Sequence, residues 1–202
     1  IFVTLLGDHV YLPQDYKIRL IYYSNNSLEW EFPTIKRIKY FSDMIDDNIK
    51  ILYLHTKGVL NKPHSLEWRK YLEYFLIIKN DICLNALNYY NCVGVNQQFY
   101  FDSINFKRNH FSGNFWWSKS SYIKKLPEFT NSKDRYFTEH YLIGDFSLND
   151  PRYYLSLHHT EQDLYKHSMV PIEYNLEVIK SNVLSNINNT YIKKRNIYGL
   201  YF

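Results

Sequence analysis

Ile49-Lys50-Ile51-Leu52-Tyr53-Leu54-His55-Thr56-Lys57-Gly58 is the stretch on which the fold turns. Its apolar, β-branched first half reads as a short buried strand. The polar, glycine-bearing second half reads as the turn that ends it. A long amphipathic segment follows over residues 65–90, where Leu66, Trp68, Tyr71, Leu72, Phe75, Leu76, Ile82 and Leu87 recur mostly every three or four positions. That spacing predicts a helix, with Ser65 as its N-cap. Strand, turn and helix in that order form the repeating unit of an α/β protein.

Outward from this unit the same alternation continues. Residues 1–6 and 17–23 read as strands, with Cys92-Val93-Gly94-Val95 and residues 111–117 as two more. Residues 33–42, 118–126 and 132–143 read as helices, and 173–186 as a further one. The expected architecture is one α/β domain over residues 1–202, a mostly parallel sheet covered by helices on both faces. The chain opens at Ile1, which suggests a piece of a longer protein. One spacing is awkward. Only residues 7–16 separate the first two strands, and a parallel crossover needs a dozen or more. Either these strands are not parallel neighbours or a further segment belongs between them, and the second reading is preferred.

Composition narrows the function classes. Apolar residues make up 46% and charged residues 22%, enough for a real core. The net charge of +4 suits an anionic small ligand. The basic clusters, Lys36-Arg37-Ile38-Lys39 and Lys193-Lys194-Arg195, read as solvated faces rather than a nucleic-acid surface. Two cysteines form neither a disulfide framework nor a zinc motif, and point to a reducing, cytoplasmic setting. No apolar run reaches the ~18–20 residues of a membrane span. The 21 Tyr and 13 Phe, with abundant Asn, Ile and Lys, fit A/T-rich codons, as in a large virus or an A/T-rich microbe. Phosphate-loop, dinucleotide-binding, zinc-protease and nucleophile-elbow motifs are absent.

Four segments carry chemistry. In His55-Thr56-Lys57-Gly58, Lys57 offers a compact positive charge, Thr56 a hydroxyl, Gly58 backbone freedom and His55 a donor or acceptor. The plainer reading is a polar loop closing a strand. In His110-Phe111-Ser112-Gly113-Asn114-Phe115-Trp116-Trp117, Gly113 within a strand would mark a close approach. Ser112 and Asn114 would meet sugar hydroxyls, and one of Trp116 and Trp117 would face a ligand unless both are core. Glu139, in Arg135-Tyr136-Phe137-Thr138-Glu139-His140, is a candidate general base, or else a helix carboxylate paired with Arg135. His158-His159, His167 and Asp102 are weaker candidates.

Taken together, Ile51 to Gly58, Trp68-Arg69, Cys92-Val93-Gly94-Val95-Asn96 and His110 to Trp117 resemble GT-A type glycosyltransferases. The resemblance is to those of giant and chlorella viruses and to the rhamnan-synthesis-F-like proteins, over residues 49–145. It implies a hexosyl- or deoxyhexosyltransferase with a nucleotide-diphosphate sugar donor and a glycan or glycoprotein acceptor. In most GT-A enzymes the loop after this strand carries an Asp-x-Asp motif that holds a metal. Here it reads His55-Thr56-Lys57. The implied chemistry is metal-free, with Lys57 neutralising the diphosphate and His55 assisting; Mn²⁺ or Mg²⁺ is the alternative. Glu139 falls where inverting members place their base. Thr4 on the first strand, with Asn25 after the second, would meet the nucleobase. His110, Ser112, Gly113, Asn114, Trp116 and Trp117 would line the sugar and acceptor, beside Thr56 and Gly58. The rival reading is a non-catalytic nucleotide-sugar or glycan-binding module.

Overall fold

The computed structural model describes residues 1–56, 64–101, 107–129, 134, 136–144, 153–160, 162–164 and 166. Lys57, Gly58, Asp102, Arg135 and His167, and the helix expected over 173–186, lie outside the described residues.

β1 (Phe2–Leu6) pairs in parallel with β2 (Arg19–Ser24), from Phe2 opposite Arg19 to Leu6 opposite Ser24. The two are parallel neighbours after all. Their connection, residues 7–18, contains no helix and is mostly exposed. An extended chain covers about 3.3 Å per residue, so this strap is long enough to return along one short strand without a helix. α1 (Phe32–Met44) follows with Pro33 in its first turn, where a missing N–H costs nothing.

The main sheet has the order β3 (Lys50–Tyr53), β7 (Trp116–Lys119), β4 (Cys92–Gly94), β8 (Tyr154–Ser156). β3 and β4 both pair antiparallel with β7, and β8 lies parallel to β4. Instead of one mostly parallel sheet, the described strands form three, the β1–β2 pair, this four-stranded sheet and a separate two-stranded hairpin, and β7 runs against both its neighbours. The cause is connection length. β3 reaches β4 through a long helical crossover, which permits a shared direction. β7 is reached through the hairpin β5 (Gln97–Phe101) and β6 (Lys107–Phe111) and a tight turn, which reverse the chain.

That tight turn is the segment expected to be a strand with an inserted glycine. Asn114 N–H donates to the Phe111 carbonyl at 2.9 Å, and Gly113 lies at φ 95°. These are the marks of a type II turn, which wants glycine at its third position. Gly113 thus meets the demand of a turn.

The crossover helix is also divided. α2 (Ser65–Glu73) passes through a π-turn at Tyr74–Ile78 into α3 (Asn80–Ala86), with Lys79 N–H reaching the Tyr74 carbonyl at 3.0 Å. The inserted residue shifts the apolar stripe. Phe75 and Leu76 stay buried while Ile78 turns out to solvent. The cap falls on His64, in the left-handed region, and Ser65 is already helical.

Side chains alternate across the sheet and build two cores. Val93, Trp117 and Leu52 pack with Trp68, Tyr71, Leu72 and Phe75 of the crossover. Tyr53, Cys92 and Trp116 pack with Phe32 and Ile35 of α1, with Tyr122 and Ile123 of α4 (Ser120–Ile123), and with the segment around α5 (Phe137–His140). Both faces carry helices. Cys83 and Cys92 are buried free thiols, and burial pushes Cys83 up to about 12. Among the described residues no helix is long and apolar enough to cross a membrane.

Candidate functional site

β3 and β4 point their carboxyl ends the same way, and antiparallel β7 begins at that end. This is where α/β sheets hold ligands. His55 stands two residues beyond β3, between the Tyr53 and Phe115 rings. Its Nε2 lies 2.9 Å from the Gly113 carbonyl. A carbonyl only accepts, so Nε2 carries the hydrogen and the ring orientation is set.

The centre of the arrangement is Glu31, the residue just before α1. Its Oε2 accepts from Asn114 Nδ2 at 2.7 Å and from Thr138 Oγ1 at 2.9 Å. Its Oε1 lies 3.5 Å from His55 Nε2. One carboxylate therefore ties together the β3 loop, the β6–β7 turn and α5. Asn114 and Thr138 are each 2% exposed, whereas the Glu31 and His55 side chains keep 22% and 21% of their surface. The buried donors are satisfied and the acceptor still borders solvent.

Asn114 is oriented from both ends. Its carbonyl oxygen accepts from Trp116 Nε1 at 3.2 Å, which leaves its amide nitrogen for Glu31. Its φ of 53° is one that Asn tolerates better than most residues. Gly113 packs so closely on α2 that a Cβ there would lie 2.8 Å from Leu72 Cδ1.

Glu139 follows Thr138 on α5 and is half-buried. Burial, and then the charges of Glu31 and Glu139, hold the Tyr53 phenol well above its ordinary range. Tyr53 is 2% exposed, and its hydroxyl has no hydrogen-bond partner among the described residues. The two carboxylates thus act on one buried phenol at the end of β3.

His110 on β6 meets His140 of α5 edge to face at 5.4 Å. Burial, reinforced by the charge His140 carries when protonated, pushes His110 down to about 4. The folded protein holds this imidazole neutral, whereas the unfolded chain protonates it near 6.5. The unfolded state gains the proton first, so stability falls as pH drops from about 6.5 to about 4 and levels off below. The loss attributable to His110 is at most about 3 kcal/mol. Urea titrations of wild type and His110→Phe across that window should show the difference; equal pH slopes would remove His110 as the cause.

The remaining candidates are distributed as follows. Trp116 is core, 5.0 Å from the Tyr53 ring. Trp117 faces the other core and donates to the Leu76 carbonyl at 2.8 Å. Each indole packs on its own side of the sheet. Ser112 is half-buried, and its N–H donates to the Asn96 carbonyl at 3.0 Å. Thr4 bonds Thr34 of α1 through its hydroxyl, and Asn25 and Thr56 are exposed. His158 is half-buried against the core, with Nδ1 2.9 Å from the Tyr71 hydroxyl and its ring stacked on Phe75.

A family described as a domain of unknown function, DUF8361, has a model that matches residues 13–165. The chain belongs to that family. No curated protein and no solved structure matches it. The DUF8361 match begins within the strap between β1 and β2, so β1 and Thr4 lie before it. Glu31, His55, Gly113, Asn114, Thr138 and Glu139 all fall inside. Among the described residues of this DUF8361 domain, no three His, Cys, Asp or Glu side chains gather as a metal-binding group.

Sequence reasoning passed over Glu31, Thr138 and Tyr53. Glu31 sits in Trp30-Glu31-Phe32-Pro33, which reads only as a helix start. Its partners lie 83 and 107 residues away, so no local pattern marks it.

Proposed function

We propose that this domain is a glycosyltransferase of the GT-A kind, moving a sugar from a nucleotide-diphosphate donor to a hydroxyl of a glycan or glycoprotein. One observation carries the reading. His55, Gly113-Asn114 and Thr138-Glu139, from three separate segments that bear the resemblance or flank it, meet through Glu31 at the carboxyl end of the sheet. In this reading Glu139 is the base that takes the acceptor's proton, which makes the transfer inverting. Glu31 and His55 hold the floor of the site, and His55 serves through its fixed orientation. Lys57, outside the described residues, neutralises charge that grows on the diphosphate as the sugar–phosphate bond breaks, with no metal required.

The test is turnover of uridine, guanosine and thymidine diphosphate sugars, with transfer and hydrolysis both measured. Glu139→Gln should lower turnover by about 100-fold or more while donor affinity stays within about threefold. Near-normal turnover would remove the base role. Excess EDTA should leave the rate unchanged; complete loss restored by Mn²⁺ would sink the metal-free mechanism. Donor binding without transfer or hydrolysis would favour the non-catalytic module instead.

A further inference from the structure

Next to Glu31 along the chain, at the start of α1, lies an open pocket of about 430 Å³. It is built from β2, the 3₁₀ turn Ser27–Glu29 and the first two turns of α1. One wall is the Glu29 carboxylate. Tyr22 hydroxyl donates to its Oε2 at 2.7 Å, and Ser24 hydroxyl donates to Oε1. The Ser24 and Tyr22 hydroxyls hold Glu29 below the usual carboxylate range, so it stays an acceptor. Two adjacent cations, Lys36 and Arg37, also line the pocket. Arg37 is stacked 4.1 Å over the Tyr22 ring and bonds the Pro33 carbonyl at 3.1 Å, so its plane is set. Lys36 is exposed, with no ion pair or hydrogen bond among the described residues.

Trp30 completes the pocket, and its backbone is unusual. It lies at φ 47° and ψ −131°, the first inner position of a type II′ turn, where glycine is the rule. A bulky residue held there is strained, and such strain collects where function demands a particular side chain. The half-buried indole packs against the core beside the Phe32 ring, 6.3 Å away, and also lines this pocket, while the next side chain, Glu31, enters the inner site.

The geometry points to a saccharide-binding subsite in this pocket, with a preference for an acidic sugar. A flat aromatic face suits the C–H face of a pyranose ring. A carboxylate with lone pairs remaining accepts from sugar hydroxyls, which are always present as donors. Lys36, at the rim, meets the ligand's carboxylate or phosphate. The subsite stands without the transfer reaction, since it concerns binding alone and uses none of Glu31, His55 or Glu139.

The test follows the Trp30 indole N–H in ¹⁵N-labelled whole chain by NMR, the peak being assigned through Trp30→Phe. Glucuronic acid, glucose and uridine monophosphate are titrated separately. Saturable movement of that peak is expected with glucuronic acid, with glucose about threefold weaker, the size of one exposed ion pair. Lys36→Gln, an exposed change that the fold should tolerate, should bring the two sugars to equal affinity. No movement with either sugar would overturn the subsite. So would movement with the nucleotide alone, which would make it a nucleobase pocket. A glucuronic acid preference that survives Lys36→Gln would overturn the assignment of the acid group.

Discussion

Replacing Glu31 by Ala is expected to destabilise the protein by about 3 kcal/mol. The change removes the Glu31 carboxylate that accepts from the Asn114 amide and from the Thr138 hydroxyl, on residues each 2% exposed. Hydrogen bonds to a charged group each contribute about 1.5–3 kcal/mol, and a buried donor left alone adds a desolvation cost. Glu31→Gln separates the parts. Its carbonyl oxygen can still accept from Asn114 and Thr138, but its NH₂ faces the N–H of His55. Its cost should be about 1 kcal/mol. Urea unfolding of the three proteins gives both numbers. A Glu31→Ala protein as stable as wild type would show that the three segments are held together by other contacts.

Gly94→Ala should cost about 3 kcal/mol or prevent folding. A Cβ at this position would lie 2.4 Å from Phe111 Cγ and 2.5 Å from both Cδ atoms. The ring cannot retreat, since Phe111 is 2% exposed and packs edge to face on Tyr154 at 5.9 Å. Overpacking of this kind usually costs 1–3 kcal/mol, and here β4 has strands on both sides and little room to shift. Phe111→Leu alone opens a cavity and also destabilises. Combined with Gly94→Ala it makes room for the new methyl, so the double variant should be more stable than the two single losses added together. Strict additivity in thermal or urea unfolding would argue against the contact.

Much of the element order was legible. The runs at 1–6, 17–23, 49–54 and 92–95 became β1, β2, β3 and β4 within a residue or two, because each is short, apolar and closed by polar or glycine residues. The helical stripe of Trp68, Tyr71, Leu72, Phe75 and Leu76 became the core of one face. The hairpin Gln97–Phe101 with Lys107–Phe111 was not legible. Gln97-Gln98 opens the first strand and Lys107-Arg108-Asn109 the second, so neither shows a clean apolar run or an alternation, and the two pair with each other. The Phe111-to-Asn114 turn was misread as strand, because aromatic residues on both sides hide a turn that one glycine and one tolerant Asn make possible.

The sequence by itself determined that this is a chain of mixed helices and strands and that β3 ends in a polar turn at His55. Periodicity and turn chemistry are local, and local patterns survive in one dimension. Only the tertiary structure decided that Glu31 joins His55, Asn114 and Thr138, that Trp116 and Trp117 belong to opposite cores, and that β7 runs against its neighbours. Those outcomes depend on which residues meet across 58, 83 and 107 positions of chain. Such contacts are selected by packing and by the need to satisfy buried donors, and neither has a period that a sequence displays.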